Sequence, residues 1–213
     1  MKDNVFFVSG IDTNVGKSYA TGYLAKTWNE QGVRTITQKF IQTGNVGMSE
    51  DIELHRKIMG TGLLPEDESG LTMPEIFTYP CSPHLAAEID HRPIDFDKIE
   101  KATRQLSETY DAVLLEGAGG LMVPLTRGLL TIDYVAQKNY PLIFVTSGKL
   151  GSINHTLLSL EAVTRRGIRL HTVAYNLFPE EDDDIIRRDT EAYIRDLLAK
   201  EYPETHFVIV PKL

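Results

Sequence analysis

Along the chain, short runs that are apolar at nearly every position alternate with stretches whose apolar residues recur every three to four positions. Runs 5–8, 112–115 and 142–146 are of the first kind, as are the shorter cores 173–175 and 207–210. Run 33–40 carries the same β-branched bias and ends on Lys39 and Phe40. These predict strands. The second pattern predicts helices over 17–31, 50–59, 83–90, 95–109, 132–139, 153–166 and 184–200, with Gly32, Gly60 and Gly62 as stops. Residues 61–82, broken by Pro65, Pro74 and Pro80, read as irregular. Strands that are apolar on both faces, separated by helices, indicate a mostly parallel sheet with helices on both faces, a three-layer α/β/α arrangement.

The chain has 213 residues, with 42% hydrophobic and 24% charged. That length and the lack of a linker-like break suggest one domain over residues 1–213. No apolar run is long enough to span a bilayer, and the apolar stretch after Met1 is too short for a signal peptide. The single cysteine, Cys81, points to a reducing cytoplasm. The histidines fall in no zinc-ligand spacing. A net charge of −8 excludes a broad nucleic-acid surface but allows a small anion to be bound where positive charge is gathered.

The clearest gathering point is the stretch from Gly10 to Ser18, GIDTNVGKS, between a predicted strand and a predicted helix. Glycines there let the backbone approach phosphates, and the amides of the helix start point at them. Lys17 supplies charge, and the Ser18 hydroxyl suits a Mg²⁺ position. Five residues separate Gly10 from Gly16, one more than the usual phosphate-loop pattern. This makes the fold P-loop NTPase-like. Glu116 closes a buried strand on the side of the sheet that carries this loop; it is either a metal ligand or a helix-capping acid. Asp51, at a helix start, is open to the same two readings. Asp111 begins its strand at the far end and is read as structural. Lys39 and Lys149 each follow a strand on the loop side, Lys39 with Thr43 and Gly44 close behind. Gly151 and Ser152 open a helix and offer a second set of anion-binding amides. The acidic run 180–184 is a cation site or a solvated helix start.

Taken in order, these segments resemble the dethiobiotin synthetases. Gly10–Ser18 matches the family's G-T-D-T-x-V-G-K-T motif with its five-residue spacing, with Ile11 and Ser18 as mild changes. Lys39–Gly44 matches K-P-x-x-[ST]-G, with Phe40 in place of proline. Glu50–Asp51 matches S-D, and Ser82–His84 matches S-P-H. Glu116–Gly120 matches E-G-A-G-G, and Lys149–His155 matches K-L-G-x-I-N-H. The match covers residues 5 to about 176.

The resemblance implies an ATP- and Mg²⁺-dependent ligase that closes the ureido ring of dethiobiotin from 7,8-diaminononanoate and CO₂. It implies catalytic roles for Lys39, Lys17 and Thr13, and a metal set of Ser18, Asp51 and Glu116. ATP would contact Asn14, Val15, Gly16, Lys17, Ser18 and Tyr19 of the loop; Asp51, Glu116, Gly117, Ala118 and Gly119; and Asn176, Leu177 and Pro211 around the base. Longer members continue past the position of Leu213, so the base contacts are expected to be few and base discrimination weak. Thr43 would bind the carbamate. Gly151, Ser152, Asn154 and a tyrosine of the last helix, Tyr193, would bind the substrate carboxylate across a homodimer interface; the competing reading is that Asn154 caps its own helix. Two other classes share a phosphate loop of this kind. An amidating phosphate-loop enzyme would need a glutaminase part, and a partitioning ATPase would carry a second lysine where Ile11 and Asp12 stand.

Overall fold

The computed structural model describes residues 4–178 and 183–212. Elements follow in the order β1 (Val5–Gly10), α1 (Lys17–Glu30), β2 (Thr35–Lys39), β3 (Gln42–Thr43), α2 (Glu50–Met59), α3 (Pro65–Glu68), β4 (Ile76–Phe77), α4 (Pro83–Ile89), α5 (Phe96–Thr109) and β5 (Ala112–Gly120). The second half adds β6 (Pro124–Thr126), β7 (Leu129–Leu130), α6 (Thr131–Lys138), β8 (Leu142–Ser147), α7 (Ser152–Arg165), β9 (Leu170–Asn176), α8 (Asp184–Glu201) and β10 (His206–Val210).

Six strands form one sheet in the order β10-β9-β8-β1-β5-β2, and every neighbouring pair is parallel. Strand alternation sorts the core into two layers. Phe7, Ile36, Val113, Leu115, Phe144 and Val173 belong to one, together with Ile99 of α5, Val135 of α6, Leu160 of α7 and Ile194 of α8. Val8, Leu114, Ile143 and Ala174 belong to the other, beneath Ala20 and Leu24 of α1. Helices therefore cover both faces, as the unbroken apolar runs require.

Several sequence expectations are corrected. The segment 61–82 is not wholly irregular: Pro65 opens the short α3, and β4 pairs with β3 in a small parallel sheet of its own. Such two-residue strands carry no periodicity to read. The strand predicted over 112–115 is longer: β5 runs on through Glu116 to Gly120, which pairs with Gly10 across an irregularity in register. The second strand is shorter than 33–40: Val33 is exposed before its start, and Phe40 lies past its end, packed edge-on against Phe7 at 5.5 Å and against Tyr134 at 4.7 Å. That buried aromatic contact accounts for phenylalanine where the resembled motif has proline. Asp111 pairs with Arg34 at the amino-terminal ends of β5 and β2, the end of the sheet away from the loop, in keeping with its structural reading. Of the acidic run, 180–182 lies outside the described residues; Asp183 caps α8, accepting from the amides of Ile185 and Ile186.

Register decides which side chains meet. Thr37 pairs with Leu114 and Lys39 with Glu116, while Val8 faces Glu116 from the other side. Paired residues of parallel strands point to one face, so Thr37, Lys39 and Glu116 all project toward α1 and α2. β1 lies where the chain's path divides, with β5 and β2 on one side and β8, β9 and β10 on the other. Ligands of open parallel sheets bind at this kind of division, outside the carboxyl ends of the strands.

Candidate active site

A cavity of about 780 Å³ opens at those carboxyl ends. Gly16 begins its floor. It adopts a left-handed conformation (φ 82°) that frees the α1 amides to face the cavity, and a Cβ there would stand 2.1 Å from Asn176 Nδ2. Asn176 in turn donates to the Val15 carbonyl at 2.9 Å and accepts from the Phe178 amide at 3.2 Å. It thereby ties the phosphate-binding loop to the end of β9.

Lys17 is buried and folds back over its own loop, donating to the carbonyls of Asp12 (2.8 Å) and Thr13 (3.1 Å). Burial brings its ammonium down to about 8, with Lys39 adding to the fall and Glu116 and Asp51 opposing it. An arriving polyanion would supply the missing negative charge.

Next to it, three oxygens converge. Ser18 Oγ lies 2.6 Å from Asp51 Oδ1 and 2.9 Å from Glu116 Oε1. The Lys39 ammonium bridges the same carboxylates, 2.5 Å from Asp51 Oδ2 and 2.8 Å from Glu116 Oε1. Burial by itself would lower Lys39, but Glu116 and Asp51 outweigh it and hold the group above the usual lysine range. Burial would likewise raise Glu116; Lys39, with the contact from His55, outweighs it and holds the carboxyl well below the usual range. At this spot, then, a cation is already held by ionised carboxylates. Among the described residues no three His, Cys, Asp or Glu side chains gather as a metal cage. One hydroxyl and two carboxylates nonetheless fit Mg²⁺, which takes few protein oxygens and fills its remaining positions with water and phosphate.

The cavity gathers most of the expected set. Thr13, Asn14, Gly16, Lys17, Ser18, Tyr19, Lys39, Thr43, Asp51, Glu116, Ala118 and Gly119 all line it. Others are placed elsewhere. Val15 is a core residue. Gly117 is required by packing rather than by a ligand, since a Cβ there would meet the Phe7 ring at 2.9 Å. Asn176 is wholly buried beneath the loop, and neither Leu177 nor Pro211 lines the cavity. Lys149 is exposed and also lies outside it. Gly151 is the left-handed N-cap of α7, and the Ser152 hydroxyl is bonded to Ser147. Asn154 does not cap its helix and is exposed, as is Tyr193. This chain's cavity reaches none of these four.

Sequence reasoning missed the groups behind and beside the cavity. Phe178 lines it, its ring 6.2 Å from that of Tyr19. Behind Glu116 lies a buried polar chain of His55, Thr37, Arg56 and Asp67. Its one sequence signal was spacing: His55 follows Asp51 by a helical turn, and Thr37 precedes Lys39 by one strand repeat.

Fold and site together define a phosphate-loop nucleotide-binding α/β protein. The comparisons agree. The chain is similar to chloroplast FtsY from Physcomitrella patens (TM-score 0.55, 14% identity, covering 100% of this chain and 60% of that one). It is similar also to the MinC:MinD complex of Aquifex aeolicus (TM-score 0.55, 14% identity, 99% and 82%). An AAA-domain family model matches residues 4–213. The chain is 52% identical over 206 residues to ATP-dependent dethiobiotin synthetase BioD 2 of Pasteurella multocida, covering 97% of this chain and 96% of that protein. It is 57% identical over 184 residues to the protein of that name from Haemophilus influenzae (86% and 96%), and 52% over 191 residues to the BioD of Chlorobaculum tepidum (90% and 80%). The chain belongs to the dethiobiotin synthetase family of ATP-dependent ligases.

Proposed function

We propose that this enzyme converts 7,8-diaminononanoate, CO₂ and ATP into dethiobiotin, ADP and phosphate. The 7-amino group adds to CO₂, losing a proton and giving a carbamate. A carbamate oxygen attacks the γ-phosphorus and ADP leaves, giving a carbamic–phosphoric anhydride. The 8-amino group then attacks the carbonyl carbon, phosphate leaves, and the ureido ring is closed.

The observation that carries this reading is that Lys39, ion-paired with Glu116, lines one cavity together with Thr43 and the phosphate-binding loop. Held protonated by Glu116 and Asp51, it cannot act as a base; it serves as a fixed positive charge toward the carbamate and the migrating phosphoryl group. Thr43 and Thr13 orient the carbamate end, and Lys17 with the α1 amides holds the β- and γ-phosphates. Ser18, Asp51 and Glu116 would hold Mg²⁺, which when bound neutralises phosphate charge. Tyr19 and Phe178 flank the base. Asn176, committed to Val15 and Phe178, has little left to read it with, so phosphates carry most of the affinity.

The α7 and α8 residues Gly151, Ser152, Asn154 and Tyr193 act across a two-fold interface on the carboxylate of substrate bound to the other copy. We further read residues 1–213 as one domain, supported by a single sheet running from Val5 to Val210. A cytoplasmic location fits the lone cysteine; among the described residues no helix is long and apolar enough to cross a membrane. Supplying labelled bicarbonate, diaminononanoate and MgATP tests the reaction. Labelled dethiobiotin is expected; ATP hydrolysis without ring closure overturns the reading.

A further inference from the structure

We infer that His55 is a positioning residue, whose Nε2–H bond to the buried oxygen of Glu116 fixes that carboxylate so that its other oxygen faces Ser18. The inference rests on the metal set proposed above and assigns a role to a residue that set does not include.

Glu116 and His55 are both wholly buried. His55 Nε2 lies 2.8 Å from Glu116 Oε2, while Oε1 is the atom that meets Ser18 and Lys39. The other ring nitrogen, Nδ1, lies 3.0 Å from Thr37 Oγ1. Arg56 Nη1 donates to that same hydroxyl oxygen at 2.9 Å. The carboxylate of Glu116, ion-paired with Lys39, can only accept, so the hydrogen of the 2.8 Å bond belongs to the ring, and the Thr37 hydroxyl, which accepts from the donor-only guanidinium, keeps its own proton to give to Nδ1. The ring hydrogen is then on Nε2, directed at Glu116. Arg56 itself cannot move away: Asp67 grips it through two bonds of 2.8 Å, and Asp67 is fixed by Thr72 at 2.6 Å and by the Leu64 amide at 2.8 Å.

A chain of buried, mutually satisfied bonds thus runs from the loop around α3, through β2 and α2, to one carboxylate oxygen. The terminal torsion of a glutamate is broad and intrinsically two-fold. An anchor on one oxygen is what turns that torsion into a single orientation. Ligands of metal sites are commonly oriented in this way by partners behind them, and removing such a partner costs about 10–100-fold in metal affinity or activity.

The test compares His55→Gln, whose amide reaches the Nε2 position, with His55→Asn, whose shorter amide does not. Mn²⁺ binding is titrated by electron paramagnetic resonance in the presence of a non-hydrolysable ATP analogue. Analogue binding without metal is measured alongside. His55→Asn is expected to bind Mn²⁺ about 10–100-fold more weakly, with metal-free analogue affinity unchanged and His55→Gln close to wild type. Wild-type Mn²⁺ affinity in His55→Asn overturns the inference and leaves the metal reading standing. Equal losses in His55→Asn and His55→Gln also overturn it. A wild-type protein that binds no Mn²⁺ with the analogue overturns the metal reading, and the inference with it. Should His55→Asn fail to fold, Thr37→Val, which releases the ring at Nδ1, is judged by the same criterion against Thr37→Ser.

Discussion

The phosphate-loop floor and the α7–α8 face received equally specific expectations, and the structure treats them differently. On the floor, Lys17, Lys39 and Glu116 are buried and bonded to one another or to the loop within a single chain. On the α7–α8 face, Asn154 and Tyr193 are exposed and lie outside the cavity. Charged groups are held in a dry site only when each has a partner, so the floor is preorganised before any ligand arrives. The exposed face has no such preorganisation within one chain. It becomes a site only if a second copy brings it to a cavity.

The largest effects should come from the floor, and two of its residues should fail in different ways. Glu116→Ala and Lys17→Ala are each expected to lower turnover on the order of 10²–10³-fold, the scale of one lost electrostatic contact in a preorganised site. Their stabilities should diverge. Glu116→Ala strips the buried Lys39 and His55 of a partner, a lesion that costs about 3–5 kcal/mol when one member of a buried pair is removed. Lys17→Ala removes a cation whose burial is already unfavourable, so its thermal midpoint should hold or rise. Turnover assays and thermal melts on both variants decide this. Equal destabilisation would mean that the ion pairs around Glu116 do not hold the floor together.

The same contrast explains what could be read from the chain. Gly10–Ser18 is contiguous, and the strand ends beside it carry Lys39 and Glu116, so chemistry and chain order coincide there. The parallel sheet was equally legible, because strands buried on both faces have no polar alternation to confuse. What could not be read is assembled across elements. His55, Thr37, Arg56 and Asp67 come from α2, β2 and the loop at α3, and each alone reads as an ordinary polar residue. The continuation of the strand past Leu115 could not be read because glycines carry no apolar pattern; Gly117 is demanded by the Phe7 ring, and Gly119 takes a left-handed conformation (φ 67°) at the register irregularity.

The exposed face gives the middle-sized effect, and it tests whether the contrast is real. If the proposed two-fold dimer forms, Lys39→Ala and Asn154→Ala proteins should each be nearly inactive alone. In a mixed dimer one site collects both lesions and the other neither. Random re-pairing of equal amounts makes half the dimers mixed, each with one intact site, so activity should recover to about one quarter of wild type. Confirmed subunit exchange without recovery would return Asn154 to a role within its own chain.

The smallest effect isolates a single proton on the floor. Free Lys17 titrates at about 8 because it is buried, whereas Lys39 is held above the usual lysine range by its carboxylates. A bound triphosphate stabilises the charged form of Lys17 and so raises its value. Binding must therefore take up a proton wherever the free enzyme has lost one. Below about pH 7 Lys17 is already charged and uptake should be close to zero; at pH 8 it should be about half a proton, climbing further as pH rises. Lys39 stays charged throughout and contributes nothing. Calorimetry of ATP-analogue binding, repeated in buffers of different ionisation enthalpy, reads the proton count directly. The sign carries over to stability. The cost of burying the Lys17 cation is full below pH 8 and fades as pH rises toward the unfolded value of 10.5, so any stabilisation of the empty enzyme by Lys17→Ala should shrink over that interval. Uptake that is absent at pH 8, or that falls with rising pH, would show that the loop carbonyls of Asp12 and Thr13 already keep Lys17 charged before a nucleotide arrives.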